Sequence, residues 1–219
     1  MTDRQATAVV SQHATTTLLP PRADADGTRR RLLEAALIAF SERGFHGVSV
    51  RELARATDIH PSSMYAHLPS KEAVLMELMV LGHTEYAARV RTAVEEEADT
   101  DVTGRLAAFT RAHVGMHVDY SLLARVANRE LHALSPERRA EVAEIRDGCV
   151  ALLLRLIEEG VESGAFSTPD VFLAATMIGR MGMSVSDWWS PELEYPADHV
   201  IDVFVDGSLR LVGAATPAP

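Results

Sequence analysis

SVRELARATDIHPSSMYAHLPSKEAVL, residues 49–75, is the stretch that decides the fold. Val50, Leu53 and Ala54 fall on one face at helical spacing, and Ser49 stands before them as a cap. Thr57 and Asp58 break that pattern, Ile59 returns an apolar anchor, and Pro61 sits where the first turn of a helix accepts it. Met64 and Leu68 are four apart and point to a core, which leaves Ser62, Ser63, Tyr65 and His67 on another face. Pro69 ends that helix, and Ser70 with Glu72 opens the next. A helix packed across a short second helix with a small, polar outer face is the helix–turn–helix pattern that enters the DNA major groove.

Upstream, Leu32, Leu33, Ala36, Leu37 and Phe40 make a continuous stripe, so a helix is expected over about 28–43 with Gly44 as its stop. Arg29, Arg30 and Arg31 crowd its start, where cations oppose the helix dipole; a nearby phosphate would account for them. Residues 1–26 develop no periodic apolar face and contain Pro20-Pro21, which predicts a disordered tail.

Downstream, a long helix starts after Lys71 and ends in the acidic run 95–97. Gly82 at its middle is a place for a bend. Helices are then expected over about 102–117 and 120–134. Ser135-Pro136 starts a further long helix that ends at Gly160 and Gly164. Thr168-Pro169-Asp170 starts another, running to about 188, and the last covers 197–211. The fold class is all-α with about nine helices. The expected divisions are a tail at 1–26, a helix–turn–helix DNA-binding domain at 27–72, a larger ligand-binding and dimerisation domain at 73–212 and a flexible tail at 213–219.

Composition agrees with helix: aromatic residues are 5% of the 219, against 47% hydrophobic residues overall. The net charge of −10 is unevenly spread. Residues 22–71 hold eight Arg or Lys against six Asp or Glu, so the acidic excess lies in 72–219. A basic corner on an acidic molecule favours docking on DNA by one face. A single cysteine, Cys149, excludes an internal disulfide framework. It falls on an apolar stripe and reads as a small core residue. Without a signal-peptide pattern or a membrane-length apolar run, the expected location is cytoplasmic, with no membrane partner.

Ala175, Gly179, Gly182 and Met183 give the penultimate helix a face with few large side chains. Val200, Ile201, Phe204, Ser208 and Leu211 make the last helix broadly apolar. Two such helices meeting their copies would form a four-helix homodimer interface. His113 and His117 share a helix face at metal-ligand spacing, but no HExxH pattern and no third ligand accompany them. GMS at 182–184 does not continue as a nucleophile elbow, and there is no phosphate-cradling glycine loop. No enzyme, cofactor or metal is expected.

With LLEAALIAFSERGFHGVSV at 32–50 running into RELARATDIHPSSMYAHLPSKEAVL at 51–75, the chain resembles the TetR family of bacterial transcriptional regulators. The resemblance implies a homodimeric repressor on a two-fold symmetric operator, released by a small hydrophobic effector. It implies that Ser49 and Arg51 meet a phosphate and that Pro61, Ser62, Ser63, Tyr65 and His67 lie on the recognition helix. Tyr65 and Lys71, with Arg29 nearby, would touch the DNA backbone. Leu68 departs from the family's frequent Phe and implies altered packing.

ARVANRELHALSPERRAEVAEIRD at 124–147 resembles actinobacterial members that respond to acyl-CoA thioesters. That resemblance implies an apolar tunnel, for which Phe109, Met116, Leu122, Val126, Met177, Met181, Trp188 and Trp189 are candidates. It also implies cations for phosphates, for which Arg125, Arg129 and Arg180 are candidates. A drug or lactone effector for an efflux or secondary-metabolism regulator, and a DNA-binding regulator without a ligand, remain open beside it.

Overall fold

The computed structural model describes residues 18–21, 23, 27–59 and 69–214. Among the described residues every regular element is helical. They are α1 (Gly27–Arg43), α2 (Val50–Ala56), α3 (Lys71–Glu96), α4 (Val102–Asp119), α5 (Ser121–Arg129), a 3-10 turn (Leu131–Ala133), α6 (Pro136–Glu162), α7 (Val171–Trp188) and α8 (Ala197–Leu211). The fold class is all-α, as expected. Pro61, Ser62, Ser63, Met64, Tyr65, His67 and Leu68 lie outside the described residues.

Local chemistry sets the helix ends. The Ser49 hydroxyl accepts the Glu52 N–H, and the Glu52 carboxylate accepts the Ser49 N–H at 2.7 Å, a reciprocal cap on α2. Gly44 follows α1 with φ at +71°, a left-handed conformation that stops the helix. Asp101 and Asp170 cap α4 and α7 with their side chains, and Pro136 opens α6. The expected helix over 120–134 is instead two pieces. α5 ends at Arg129, and the 3-10 turn follows before Ser135. The break brings Leu134 into the core and directs the Ser135 N–H to the Glu72 carboxylate, 2.8 Å away on α3.

One apolar cluster joins Leu32, Leu37 and Phe40 of α1, Leu53 of α2, and Val74, Leu75 and Leu78 of α3. The same cluster runs on through Met116, Leu122, Leu123, Val126 and Val142. A second joins Val90, Phe109, Leu153, Ile157, Phe166 and Ile178, and a third packs Trp189 against Val114, Val118, Val185 and Val200. Leu19 differs from its expected place in a disordered tail. It is fully buried in the first cluster, and its carbonyl accepts from Arg30 at 3.3 Å. Gly82 is a point of close packing between helices. A Cβ there would stand 3.2 Å from Leu123, so the glycine lets α3 and α5 pack closely. Among the described residues no helix is long and apolar enough to cross a membrane.

Candidate functional site

The α1–α2 corner is rich in cations, and most of those expected to meet DNA are already engaged. Arg29 forms a two-pronged pair with Glu77 of α3, at 2.9 and 2.7 Å. Arg30 pairs with Glu34 at 2.9 Å, and Arg31 donates to the Thr28 hydroxyl at 3.3 Å. Intramolecular partners thus account for the arginines at the start of α1 without a phosphate.

Lys71 is likewise turned inward. Its ammonium donates to the carbonyls of Phe45 and Val48 at 2.8 and 2.7 Å and sits 4.1 Å above the Phe45 ring. Partial burial lowers its pKa. It is a clasp tying the turn after α1 to the start of α3, rather than a free cation. Ser49 spends its hydroxyl on the α2 cap. That cap, with Arg43 beside it, holds the Glu52 carboxyl down at about 2. Arg51 is exposed on α2, where it is free to approach a phosphate.

A cavity of about 280 Å³ lies between five helices. Gly82, His83 and Tyr86 come from α3, and Phe109, His113, Met116 and His117 from α4. α5 supplies Ala124, Ala127 and Asn128; α6 supplies Arg146, Cys149, Val150, Leu153 and Leu154. Phe172, Ala175, Thr176, Gly179, Arg180 and Met183 of α7 close it. The volume stands at the small end of ligand pockets, which run from roughly 300 to 1,000 Å³. Its lining holds two arginines and no carboxylate.

Of the eleven residues expected to bind effector, Phe109, Met116 and Arg180 line this cavity. The others are placed elsewhere for identifiable reasons. Leu122 and Val126 belong to the first apolar cluster. Arg125 donates to the Ser186 carbonyl at 2.6 Å, and Arg129 pairs with Asp187 at 2.9 Å, so both join α5 to α7. Met177 and Met181 fall off the lining stripe of α7, and Met177 is exposed. Trp188 and Trp189 are adjacent and point apart. Trp188 is exposed, while Trp189 is buried with its indole N–H on the Tyr195 carbonyl at 3.1 Å.

The residues that sequence reasoning missed include apolar ones, such as Leu153, Leu154, Phe172 and Met183, and most of the polar ones. His83, Tyr86, Asn128 and Arg146 line the cavity, and the His113/His117 pair faces it too. The His113 Nε2 bonds the Gly179 carbonyl at 3.1 Å, and the His117 Nδ1 bonds the His113 carbonyl at 2.7 Å. The His117 Nε2 faces the Asn128 amide at 3.3 Å. Burial drives the pKa of His83 down to about 4 and that of His113 to about 3, and lowers that of His117. All three rings are therefore neutral at neutral pH. Among the described residues no group of three or more side chains is arranged to hold a metal.

The small residues of α7 do not make an outward face. Ala175 lines the cavity, and at Gly182 a Cβ would stand 2.2 Å from the His113 ring, so they admit α4 to α7 within the protomer. The exposed apolar residues are instead Phe172, Leu173, Met177 and Trp188 on α7 and Val203 on α8.

Comparison with known proteins places this geometry. Residues 32–78 match the model for bacterial regulatory proteins of the tetR family, and 99–212 match the tetracyclin repressor-like C-terminal domain. The chain is 28% identical over 205 residues to the HTH-type transcriptional repressor KstR2 of Rhodococcus jostii, covering 91% of this chain and 99% of that one. It is 25% identical over 183 residues to the fatty acid metabolism regulator protein of Bacillus subtilis, covering 81% and 93%. A solved tetR-family regulatory protein from Rhodococcus RHA1 superposes with a TM-score of 0.81 at 31% identity, over 88% of this chain and all (100%) of that one.

Proposed function

Since the chain belongs to the TetR family and is a ligand-responsive transcriptional repressor, not an enzyme, we propose that its effector is an acyl-CoA thioester held in the five-helix cavity. The observation that carries this reading is the lining. It is largely apolar, it bears Arg146 and Arg180, and it contains no carboxylate. An acyl chain suits the apolar wall, and the phosphates of coenzyme A suit the arginines, which bind phosphate by charge and forked hydrogen bonding. The kinship with a regulator named for fatty acid metabolism supports the same class.

In this reading residues 27–72 dock on DNA and residues 73–212 bind effector and dimerise. Ser62, Ser63, Tyr65 and His67 face the operator, with Arg51 at a phosphate. The protomers pair through α7 and α8, where Phe172, Leu173, Met177 and Val203 leave an exposed apolar face that a second copy would cover. The pair sets two recognition helices roughly 34–36 Å apart on a two-fold symmetric operator.

Coupling runs along α3 and through the segment after α5. α3 carries Leu75 and Leu78 under the DNA-binding corner, and His83 and Tyr86 at the cavity. α5 lines the cavity with Ala124, Ala127 and Asn128. Just beyond it the His132 ring lies 6.5 Å from His46, and Ser135 and Arg138 hold Glu72. A ligand that spreads these helices shifts the corner. A coupling of about 1–3 kcal/mol suffices for a 5–150-fold fall in DNA affinity.

A mobility-shift titration on the DNA upstream of the chain's own gene tests the reading. Wild-type protein should shift that DNA, and Tyr65→Ala with Arg51→Ala should lose at least about tenfold in affinity. A medium-chain acyl-CoA should release the complex where the free fatty acid does not. Release by a neutral drug with no response to any thioester would overturn the effector assignment and leave the DNA-binding assignment intact.

A further inference from the structure

Glu72 stands in the first turn of α3, and its two oxygens reach across to the start of α6. Oε1 accepts the Ser135 N–H at 2.8 Å. Ser135 is the N-cap of α6, and its own side chain makes no capping bond. Three residues on, where a capping box would place an acid, the chain has Arg138. Glu72 therefore supplies from α3 the carboxylate that α6 lacks. Its Oε2 lies 3.6 Å from the Arg138 Nη1, and that nitrogen is buried with no hydrogen-bond partner among the described residues. The ion pairs of Arg29, Arg43, Arg89 and Arg129 close at 2.6–3.0 Å, the range of a charge-assisted bond. The contact between α3 and α6 is thus half made. One prong is shut, and the other stops short by under about 1 Å.

The two helices run side by side in the same direction. Beyond the Glu72 contact, His83 and Tyr86 share the cavity wall with Arg146 and Cys149, and farther on Val90 and Val94 share a groove with Leu152 and Arg155. Arg146 lies about 16 Å along α6 from Ser135, so pressure at the cavity tilts α6 about its tied end. The residue before Glu72 is Lys71, which holds the carbonyls of Phe45 and Val48. A tilt of α6 is accordingly delivered one residue from the clasp of the DNA-binding corner. We propose that Glu72 and Arg138 form a latch between two conformers of the protomer. Shut, it favours the conformer that reads the operator; a guest that presses α6 away from α3 at the cavity holds it open. The unmade prong is what separates a latch from a fixed tie. Closing it satisfies the Arg138 Nη1 and opening it strands that donor, so the contact has two arrangements of different energy.

Loss of such a latch moves the two affinities in opposite directions, because operator and effector draw on opposite conformers. A merely structural tie would, when lost, lower both. Charge alone gives a third pattern, since removing an acid from the DNA-binding side strengthens operator binding. The full-length protein is therefore compared with Glu72→Gln, Arg138→Gln and the double variant, each checked for the wild-type melting profile. Operator DNA from upstream of the chain's own gene is titrated without effector, and octanoyl-CoA is titrated separately by calorimetry. Glu72→Gln should weaken operator binding at least about fivefold and bind octanoyl-CoA more tightly by a similar factor. The double variant should be no weaker on the operator than Arg138→Gln alone. Arg138→Lys keeps a cation within reach of the carboxylate and should stay within about threefold of wild type. Glu137→Gln, at an exposed acid beside the latch, is the charge control and should not weaken operator binding.

Only the effector half of this test rests on the cavity holding an acyl-CoA. Operator binding that holds or rises in Glu72→Gln, or losses that add in the double variant, would overturn the latch whatever the effector is. Octanoyl-CoA that binds wild type and Glu72→Gln equally, while operator affinity falls, would show that the pair only orders the corner, and would overturn it too. If octanoyl-CoA binds no form of the protein, the thioester reading falls, and the operator titration still decides the latch.

Discussion

The DNA-binding corner and the effector cavity treat their polar groups in opposite ways. At the corner the anchoring groups among the described residues have partners. Lys71 holds two carbonyls, Ser49 and Glu52 cap one another, and Arg29 grips Glu77. At the cavity two buried imidazole nitrogens, on His83 and His113, are left without one among the described residues. Paired groups build a rigid reader whose spacing can be moved as a unit. Unpaired buried ones cost stability at the cavity instead.

The comparison can be strained most severely in the shared core. Leu75→Ala, at a fully buried side chain beneath the corner, should cost about 2–5 kcal/mol in urea denaturation. A cost under 1 kcal/mol would mean the corner is not packed onto α3 as described.

Acid should act on the two regions over different pH windows. His83 and His113 titrate near 4 and 3 in the folded chain, against an ordinary value of 6.5. The unfolded chain therefore binds their protons first. Stability is full above about pH 6.5 and falls as pH drops toward 4 and 3. Glu52, held at about 2 by its cap and Arg43, contributes stability that is present above its ordinary 4.5 and lost between there and about 2. Denaturation at a series of pH values should show the histidine component shrink when His83→Phe and His113→Phe are combined, leaving the share of His117, and the lower component shrink in Glu52→Gln.

Lys71→Met should cost about 1–3 kcal/mol, because the carbonyls of Phe45 and Val48 lose their partner. It should weaken operator binding through that loss of order more than through lost charge. Lys71→Arg, if it only partly restores affinity while restoring charge, would sharpen this point. Least of all, Arg111→Ala should change stability by at most about 1 kcal/mol, since its pair with Asp202 is exposed on both sides.

The sequence made the two regions unequally legible, and the reason is distance along the chain. The corner is built from neighbours. Capping serines, a stop glycine and a stripe at helical spacing were enough to place α1, α2 and the start of α3. The cavity is assembled from five helices, and on each of them its residues resemble ordinary core. Local signatures lie on α6 and on α7, where Phe172, Ala175, Thr176, Gly179, Arg180 and Met183 advance by three and four. Arg180 sits on that stripe, whereas Met177 and Met181 sit beside it. Trp188 and Trp189 part because α7 ends at Trp188 and Trp189 follows it with extended backbone. His113 and His117 were visible as a pair, but a third imidazole arriving from α3 was not. The tight fit of Gly182 against His113 likewise depends on a contact between α4 and α7.

The apolar cluster that begins at Leu32 does not stop where the DNA-binding part ends; it continues to Val142. There is accordingly no dry seam along which one part can melt while the other survives, as separately cored domains do. The chain should unfold in a single cooperative step, and energy gained at the cavity is shared by the whole cluster. At a hundredfold excess over its dissociation constant, a ligand adds about 2.7 kcal/mol to the cost of global opening. Amides of α1 and α2 that exchange only by global unfolding should then slow by the same factor as those beside the ligand. The effector would thus make the DNA-reading corner more resistant to unfolding at the very moment it makes it unfit for the operator.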